Sequence, residues 1–287
     1  MQESTDPNQL IAFQGEAGAY SNLACQQMMP DMVPLPCATF EEVYQTVASE
    51  KAKYALVPVE NSLAGRVADN HHLLPESGLH IIGEHFLRIN HTLLGVRGAK
   101  KDDLKEVFSH IHALGQCRNL LRRLGVKGHM YHDTAGAARH IAEMQDKSLG
   151  AIASKLSAEI YDLDVLEEEA EDADHNTTRF LLMSRDAHVP EQATEGRGTM
   201  MSFVFQVRNV PAALYKAMGG FATNGVNMTK LESYQLEGSF QATQFYADIE
   251  GHPDDRSVQL AMEELAFHTT SITILGVYPK SPFRDGL

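Results

Sequence analysis

The feature that most constrains this chain is an alternation: from Leu10 to Met183, apolar runs too short for helices take turns with stretches of helical spacing. Leu10 to Phe13 leads into the loop Gln14-Gly15-Glu16-Ala17-Gly18 and then a helical stretch near Ser21 to Met29. Strand, loop and helix in that order open an α/β fold. Thr39 and Glu42 stand at capping-box spacing and start a helix, after which Tyr54 to Val59 is a compact apolar run of buried-strand type. Ile81 and Ile82, Leu93 to Val96 and Val107 to Ser109 read as strands, and His112 to Leu124 as one helix with apolar positions at Leu114, Cys117, Leu120, Leu121 and Leu124. Asp133 and Thr134 cap a helix reaching Met144. Gly150 to Ala153 is a strand, Leu156 to Tyr161 a helix and Arg179 to Met183 a closing strand. The pattern predicts mostly parallel, helix-covered sheets.

Beyond Met183 the pattern changes. Ala187 to Gly198 carries Pro190, Gly196 and Gly198 among polar residues without periodicity, and marks a linker. Thr199 to Val207 then predicts a strand, Pro211 the first turn of a helix to Thr223, Val226 to Tyr234 a strand, Gly238 a turn and Phe240 to Ile249 a strand. Arg256 to His268 completes the set as a helix and Ser271 to Tyr278 as a strand. The order β-α-β-β-α-β is a ferredoxin-like unit. A chain of 287 residues also exceeds the length at which one core stops growing, so two domains are expected.

Charge and composition narrow the function. The net charge of −14, with no basic run, argues against nucleic acid as a partner. No apolar stretch is long enough to span a membrane and Met1 to Gln9 lacks the parts of a signal peptide, so a cytoplasmic protein is expected. Cys25, Cys37 and Cys117 fit neither a disulfide framework nor a metal site, in keeping with a reducing compartment. The pairs His71/His72, His110/His112 and His129/His132 lack partners at metal-ligand spacing. Eight acids and no base fall between Asp162 and Asp174, the pattern of a solvated face.

Three segments carry groups suited to chemistry. The Gly15/Gly18 loop aims backbone N–H groups at one point and suits an anion, although glycines that merely make a tight turn give the same spacing. Glu60-Asn61-Ser62 follows a buried strand, at the end where open α/β sheets bind ligands, and helix capping is the plainer alternative. Asn176-Thr177-Thr178-Arg179-Phe180 offers an amide, hydroxyls and a fixed cation beside an apolar strand, with a structural salt bridge as the alternative use of Arg179.

Taken together, these segments resemble prephenate dehydratases. The likeness runs through Phe13-Gln14-Gly15 with Gly18-Ala19-Tyr20-Ser21, Thr39-Phe40-Glu41-Glu42, and Glu60-Asn61-Ser62 with Gly65-Arg66-Val67. It continues through Ser109-His110 with Ala113-Leu114 and Gln116-Cys117, Asp133 to Ala138, Ala151 to Ser154, and Asn176 with Thr178-Arg179-Phe180, in family order. The resemblance implies a two-lobed catalytic domain over about residues 8–186, similar to periplasmic binding proteins, with its second lobe at about 92–174 and the chain crossing near Leu87 to Leu94 and returning near Asp174 to Thr178. Residues 199–287 resemble the ferredoxin-like ACT domain that follows it in this family.

The implied activity is that of a lyase, the decarboxylating dehydration of prephenate to phenylpyruvate in phenylalanine biosynthesis, without a cofactor or metal. Thr178 is then the catalytic residue, hydrogen-bonding the leaving hydroxyl. Arg179 is expected to fork a substrate carboxylate, and Asn61, Ser109, Gln116 and the Gly18 and Ala19 amides to donate to substrate oxygens, with Glu60 in a positioning role. Ser62, Thr134, Ala135 and Phe180 complete the expected substrate site. The expected effector is phenylalanine, bound between ACT units of two subunits around Ala212, Ala213, Leu214, Asn227, Glu232 and Ser233, so at least a homodimer is expected, or a homotetramer. Three features depart from the family. Ser109-His110-Ile111-His112 stands for Ser-His-Pro-Gln, Ala212 for a glycine, and Glu232-Ser233-Tyr234-Gln235 for Glu-Ser-Arg-Pro. A monofunctional enzyme is expected. The competing readings are an arogenate dehydratase, whose chemistry the motifs do not separate, and a non-catalytic two-lobed amino-acid sensor.

Overall fold

A computed structural model describes residues 6–192, 198–235 and 242–286. In chain order the elements begin β1 (Leu10–Gln14), α1 (Tyr20–Met28), β2 (Val33–Cys37), α2 (Phe40–Ala48), β3 (Tyr54–Asn61), β4 (Gly65–Arg66), α3 (Ala68–Leu73), β5 (His80–Arg88) and β6 (Thr92–Gly95). They continue with β7 (Glu106–Ser109), α4 (Ile111–Gln116), α5 (Arg118–Leu124), β8 (Lys127–Met130), α6 (Thr134–Met144), β9 (Leu149–Ala153), α7 (Lys155–Ile160), β10 (Asp164–Glu167) and β11 (Thr177–Ser184). The C-terminal part holds β12 (Thr199–Val207), α8 (Ala213–Thr223), β13 (Met228–Gln235), β14 (Ala242–Glu250), α9 (Arg256–His268) and β15 (Thr269–Pro279). Two compact units result, one from Met1–Asn70 with His85–Phe180 and the other from His71–Glu84 with Leu181–Leu287.

The first unit contains two sheets. In one, β2, β1 and β3 pair in parallel, β3 folds back on β4 through Glu60↔Arg66 and Asn61↔Gly65, and β11 lies beside β3. The other has the order β10-β6-β9-β7-β8. Here β6 runs antiparallel to both β9 and β10, so this sheet is mixed where alternation predicts a parallel one. No helical crossover within one sheet sets the direction of β6, which enters from β5 of the other sheet across Ile89 to His91 alone. The core under the second sheet is set by apolar spacing on α6, whose Ala137, Ala138 and Ile141 are buried against Leu94, Ala151 and Ala153.

One expectation is corrected here. The single helix expected over His112 to Leu124 is two helices, because Cys117 leaves helical geometry at φ −121, ψ 31. The break is stabilised from outside: the Asp172 carboxylate accepts from the amides of Arg118 and Asn119, both at 3.0 Å, and its own N–H donates to the Gln116 carbonyl at 2.6 Å. A carboxylate on the first free amides of a helix satisfies them and complements the dipole. The acidic run is a solvated face, as expected, with none of its eight acids buried, and it is also ion-paired: Asp164–Glu167 forms β10, Arg97 bridges Asp162 and Asp164, Glu167 pairs with Lys101 and Arg123, and Glu168 pairs with Lys155.

The second unit is the antiparallel sheet β13-β14-β12-β15. Alternate residues Met201, Phe203, Phe205 and Val207 of β12 are buried with Ala217 and Phe221 of α8 and Val258, Ala261 and Leu265 of α9. That is the period of two meeting the period of 3.6. Pro211 lies outside α8, whose N-cap is Ala212 in the left-handed region, so the proline directs a turn and not the first helical turn. The expected turn at Gly238 and the start of the strand at Phe240 lie outside the described residues, as does part of the linker. Residues His71–Glu84 join this unit through β15, which pairs with β5 at Gly276↔Ile81. A Cβ at Gly276 would stand 2.0 Å from the Ile81 carbonyl oxygen, so only glycine permits the pairing. The buried Glu84 carboxylate also takes both Nε and Nη2 of Arg284, at 2.7 and 2.9 Å, and the Ser281 amide at 3.1 Å.

Candidate active site

In the first unit, one chain of hydrogen bonds collects side chains from β3, β11, α4 and the β5–β6 link. Asn61, at the end of β3, accepts at Oδ1 from the backbone amides of Leu63 and Ala64, at 3.0 and 2.8 Å. Backbone N–H groups only donate, so this end of the amide is fixed as oxygen and Nδ2 must be the donor. Nδ2 donates to Thr178 Oγ1 at 2.9 Å and to Asn176 Oδ1 at 2.7 Å. Thr178 is 9% exposed, and its oxygen is held as an acceptor, which leaves its one proton available to a neighbouring oxygen. Asn176 Nδ2 donates in turn to Gln116 Oε1 at 3.0 Å.

Gln116 reaches the wall of a cavity of about 590 Å³, lined also by Leu63, Ala64, Ile111, His112 and Arg118. That is within the range of small-molecule sites, and the wall combines apolar groups with one fixed cation. The Ile111-His112 departure from the family pattern falls on this wall. His110 caps α4 by accepting the His112 N–H at Nδ1, 3.4 Å away, and burial, then the neighbouring His112, holds its imidazole below the usual pKa.

Other expected residues are placed differently. Arg179 is 1% exposed and its Nη1 donates to Glu60 Oε1 at 3.0 Å, so the cation expected on a substrate carboxylate braces Glu60 inside the sheet. The Gly18 amide donates to Asn22 Oδ1 at 2.9 Å and the Ala19 amide to the Glu16 carbonyl at 3.0 Å, so neither is open to an anion. The loop is instead a strut onto the second sheet. The Gly18 carbonyl accepts from Ser154 and Ser157 hydroxyls at 2.5 and 3.0 Å, Tyr161 donates to the Ala17 carbonyl at 2.7 Å, and Arg139 forks Glu16 at 2.7 and 3.0 Å.

Ser109 is fully buried and its hydroxyl donates to the Ile152 carbonyl at 2.5 Å, within the second sheet. Ser62 joins the two chain segments of the site: its Oγ donates to the His175 carbonyl at 2.7 Å and accepts from the Thr177 amide at 2.9 Å. Phe180 and Ala135 are core residues, at 1% and 0% exposure, and Thr134 opens α6 behind its cap Asp133. Tyr20 and His91 complete the hydrogen-bonded chain behind Gln116; His91 carries no motif signal, whereas Tyr20 and Asn176 stand within family motifs that give them no role.

In the second unit, Ala213 and Leu214 open α8 beside Ala212, which holds φ 61. Asn227 precedes β13 and donates from Nδ2 to Glu250 at 2.8 Å, whereas Glu232 and Ser233 lie further along β13, with Glu232 3.2 Å from Lys230 Nζ.

A family model described as "PDT: Prephenate dehydratase" matches residues 11–188. The chain belongs to the prephenate dehydratase family. It is thereby an enzyme of the lyase class. The chain is 50% identical over 276 residues to a protein of Komagataeibacter europaeus named bifunctional N-acyl-homoserine lactone acylase/prephenate dehydratase, covering 96% of this chain and 97% of that one. It is 37% identical to arogenate dehydratase/prephenate dehydratase 1 of Arabidopsis thaliana over 98% of this chain and 75% of that one. Among solved structures it is similar to prephenate dehydratase of Arthrobacter aurescens in complex with L-Phe, with TM-score 0.85, 28% identity, and coverage of 94% and 89%. Among the described residues, no helix is long and apolar enough to cross a membrane.

Proposed function

We propose that this prephenate dehydratase family member converts prephenate to phenylpyruvate, at the cavity that Gln116 lines, with Thr178 joined to Gln116 through Asn61 and Asn176. The observation that carries the reading is the polarity of the amide chain. Because Asn61 holds Thr178 Oγ1 as an acceptor, the hydroxyl proton is directed to an oxygen other than Asn61. In prephenate that oxygen is the ring hydroxyl. As its C–O bond breaks, Thr178 donates a hydrogen bond to the departing oxygen, which leaves as water with a proton from the medium. The ring carboxylate departs as carbon dioxide, and its bonding pair completes the aromatic ring. Stabilising charge where it develops is the efficient use of such a donor. Arg118 on the cavity wall supplies a cation for the substrate's carboxylates against the repulsion of a chain of net charge −14.

The test is turnover of prephenate and, separately, of arogenate, followed as phenylpyruvate and phenylalanine. The wild type is expected to consume prephenate, and Thr178→Ala to lose most of kcat with a smaller change in KM, as for an interaction made in the transition state. A kcat within about threefold of wild type, roughly 0.7 kcal/mol of barrier, refutes the role of Thr178.

Phenylalanine as effector, supported by the L-Phe complex of the Arthrobacter relative, and a dimer through the 199–287 unit belong to the same proposal. Ala212 in the left-handed region and Tyr234-Gln235 alter that segment, so binding weaker than in relatives with the usual motif is expected. Calorimetry showing neither heat nor inhibition at millimolar phenylalanine overturns it.

A further inference from the structure

The hydrogen-bonded chain that ends at Thr178 does not begin at Gln116. Gln116 Oε1 lies 2.7 Å from His91 Nε2, and His91 Nδ1 lies 2.8 Å from the Tyr20 hydroxyl, which itself stands 2.9 Å from the Asn90 carbonyl oxygen. His91 is 3% exposed, on the short link between β5 and β6, and its own backbone N–H donates to Glu171 Oε2 at 2.7 Å.

The direction of every bond in this chain follows from one end. The Leu63 and Ala64 amides make Asn61 Oδ1 an acceptor, so Asn61 Nδ2 donates to Asn176 Oδ1. Asn176 Nδ2 must then donate to Gln116 Oε1, and Gln116 Oε1, an acceptor twice over, requires a proton on His91 Nε2. Amide ends and histidine tautomers are assigned by such partners, and here backbone donors leave no freedom. With the proton on Nε2, the neutral ring presents Nδ1 as an acceptor, and the Tyr20 hydroxyl 2.8 Å away donates to it.

The consequence falls on Gln116. With Oε1 filled by His91 and Asn176, its amino group is what remains for the cavity, as a donor to a substrate oxygen. If the amide rotated, its N–H groups would face those of His91 and Asn176, two donors against two donors.

We infer that His91 is a positioning residue: by donating Nε2–H to Gln116 Oε1 it holds the Gln116 amino group toward the substrate. The inference rests on the functional reading above and deepens it. His91 touches no substrate and acts through Gln116 alone. Residues acting through a shared partner are non-additive, whereas independent ones add.

The experiment is a double-mutant cycle in full-length protein, with steady-state kinetics on prephenate and a melting curve for each variant. His91→Leu is expected to lower kcat/KM by roughly five- to thirtyfold, the effect of one lost buried hydrogen bond. Gln116→Leu is expected to lower it at least as much, and the double variant to be no worse than Gln116→Leu. His91→Gln, whose amide N–H can stand where Nε2–H stood, is expected to recover to within about threefold of wild type while His91→Leu does not, even where the two melt together. If leucine unfolds the protein, His91→Met, closer in shape to the ring, carries the same cycle. Losses that multiply in the double variant, or a His91→Gln as weak as His91→Leu, overturn the inference. A wild type that turns over neither prephenate nor arogenate overturns the functional reading, and a Gln116→Leu indistinguishable from wild type removes Gln116 as a substrate donor, so the failures are separable.

Discussion

Gly18→Ala separates the two uses of the first loop, as an anion cradle or as a strut. Gly18 sits at φ +90, where an L side chain is strained by about 1–2 kcal/mol. The added Cβ would stand 2.7 Å from Ser157 Oγ, 3.0 Å from Ser157 Cα and 3.3 Å from Ser157 Cβ. The hydroxyl can rotate away but the backbone carbon cannot, so α7 must shift. Moving Ser157 also loosens its 3.0 Å bond to the Gly18 carbonyl, about 1 kcal/mol more. The sum is a loss of about 2–3 kcal/mol, which lowers the melting temperature of a unit this size by roughly 4–12 °C. Calorimetric melting with and without substrate, beside kinetics on prephenate, measures it. Because the Gly18 and Ala19 amides are already bonded within the chain, KM should change little at a temperature where the variant is folded. A variant that melts as wild type but binds substrate much more weakly would refute the strut and restore the anion cradle.

Ala212→Gly should stabilise the second unit by about 0.5–1 kcal/mol, because relief of left-handed strain at φ 61 exceeds the entropy that glycine adds to the unfolded chain. A lower melting temperature would refute it. Arg139 bonded to Glu16 holds that carboxyl below its usual value, so its contribution is present above the ordinary glutamate pKa and is lost as pH falls through the lowered folded value. The melting-temperature gap between wild type and Glu16→Gln should therefore exist at neutral pH and close in acid, and a gap that is constant down to about pH 3 contradicts this. Asp172→Ala should uncap α5 and destabilise by about 1 kcal/mol, read in denaturant unfolding, and no change would mean that water replaces the cap.

What the sequence determined by itself was local. Thr39 and Asp133 cap helices where their spacing says they should, with Glu42 and Gly136 amides as donors, because capping needs only neighbours in the chain. Thr199–Val207 and Arg256–His268 stand at the bounds their patterns predict, and the run from Phe13 to Phe180 carried the family without any coordinates. Tertiary structure decided whatever depends on a distant partner. The helix break at Cys117 comes from Asp172 across the acidic run. The edge strand β2, rich in proline, forms only because β1 offers it a parallel partner. The site divides on the same line. Asn61 and Thr178 were legible as motif residues, but that Arg179 pairs with Glu60, that Ser109 is turned to Ile152, and that His91 stands against Gln116 follow from contacts between residues far apart in sequence. A side chain's chemistry is written in its type; which partner uses it is fixed only when the chain closes.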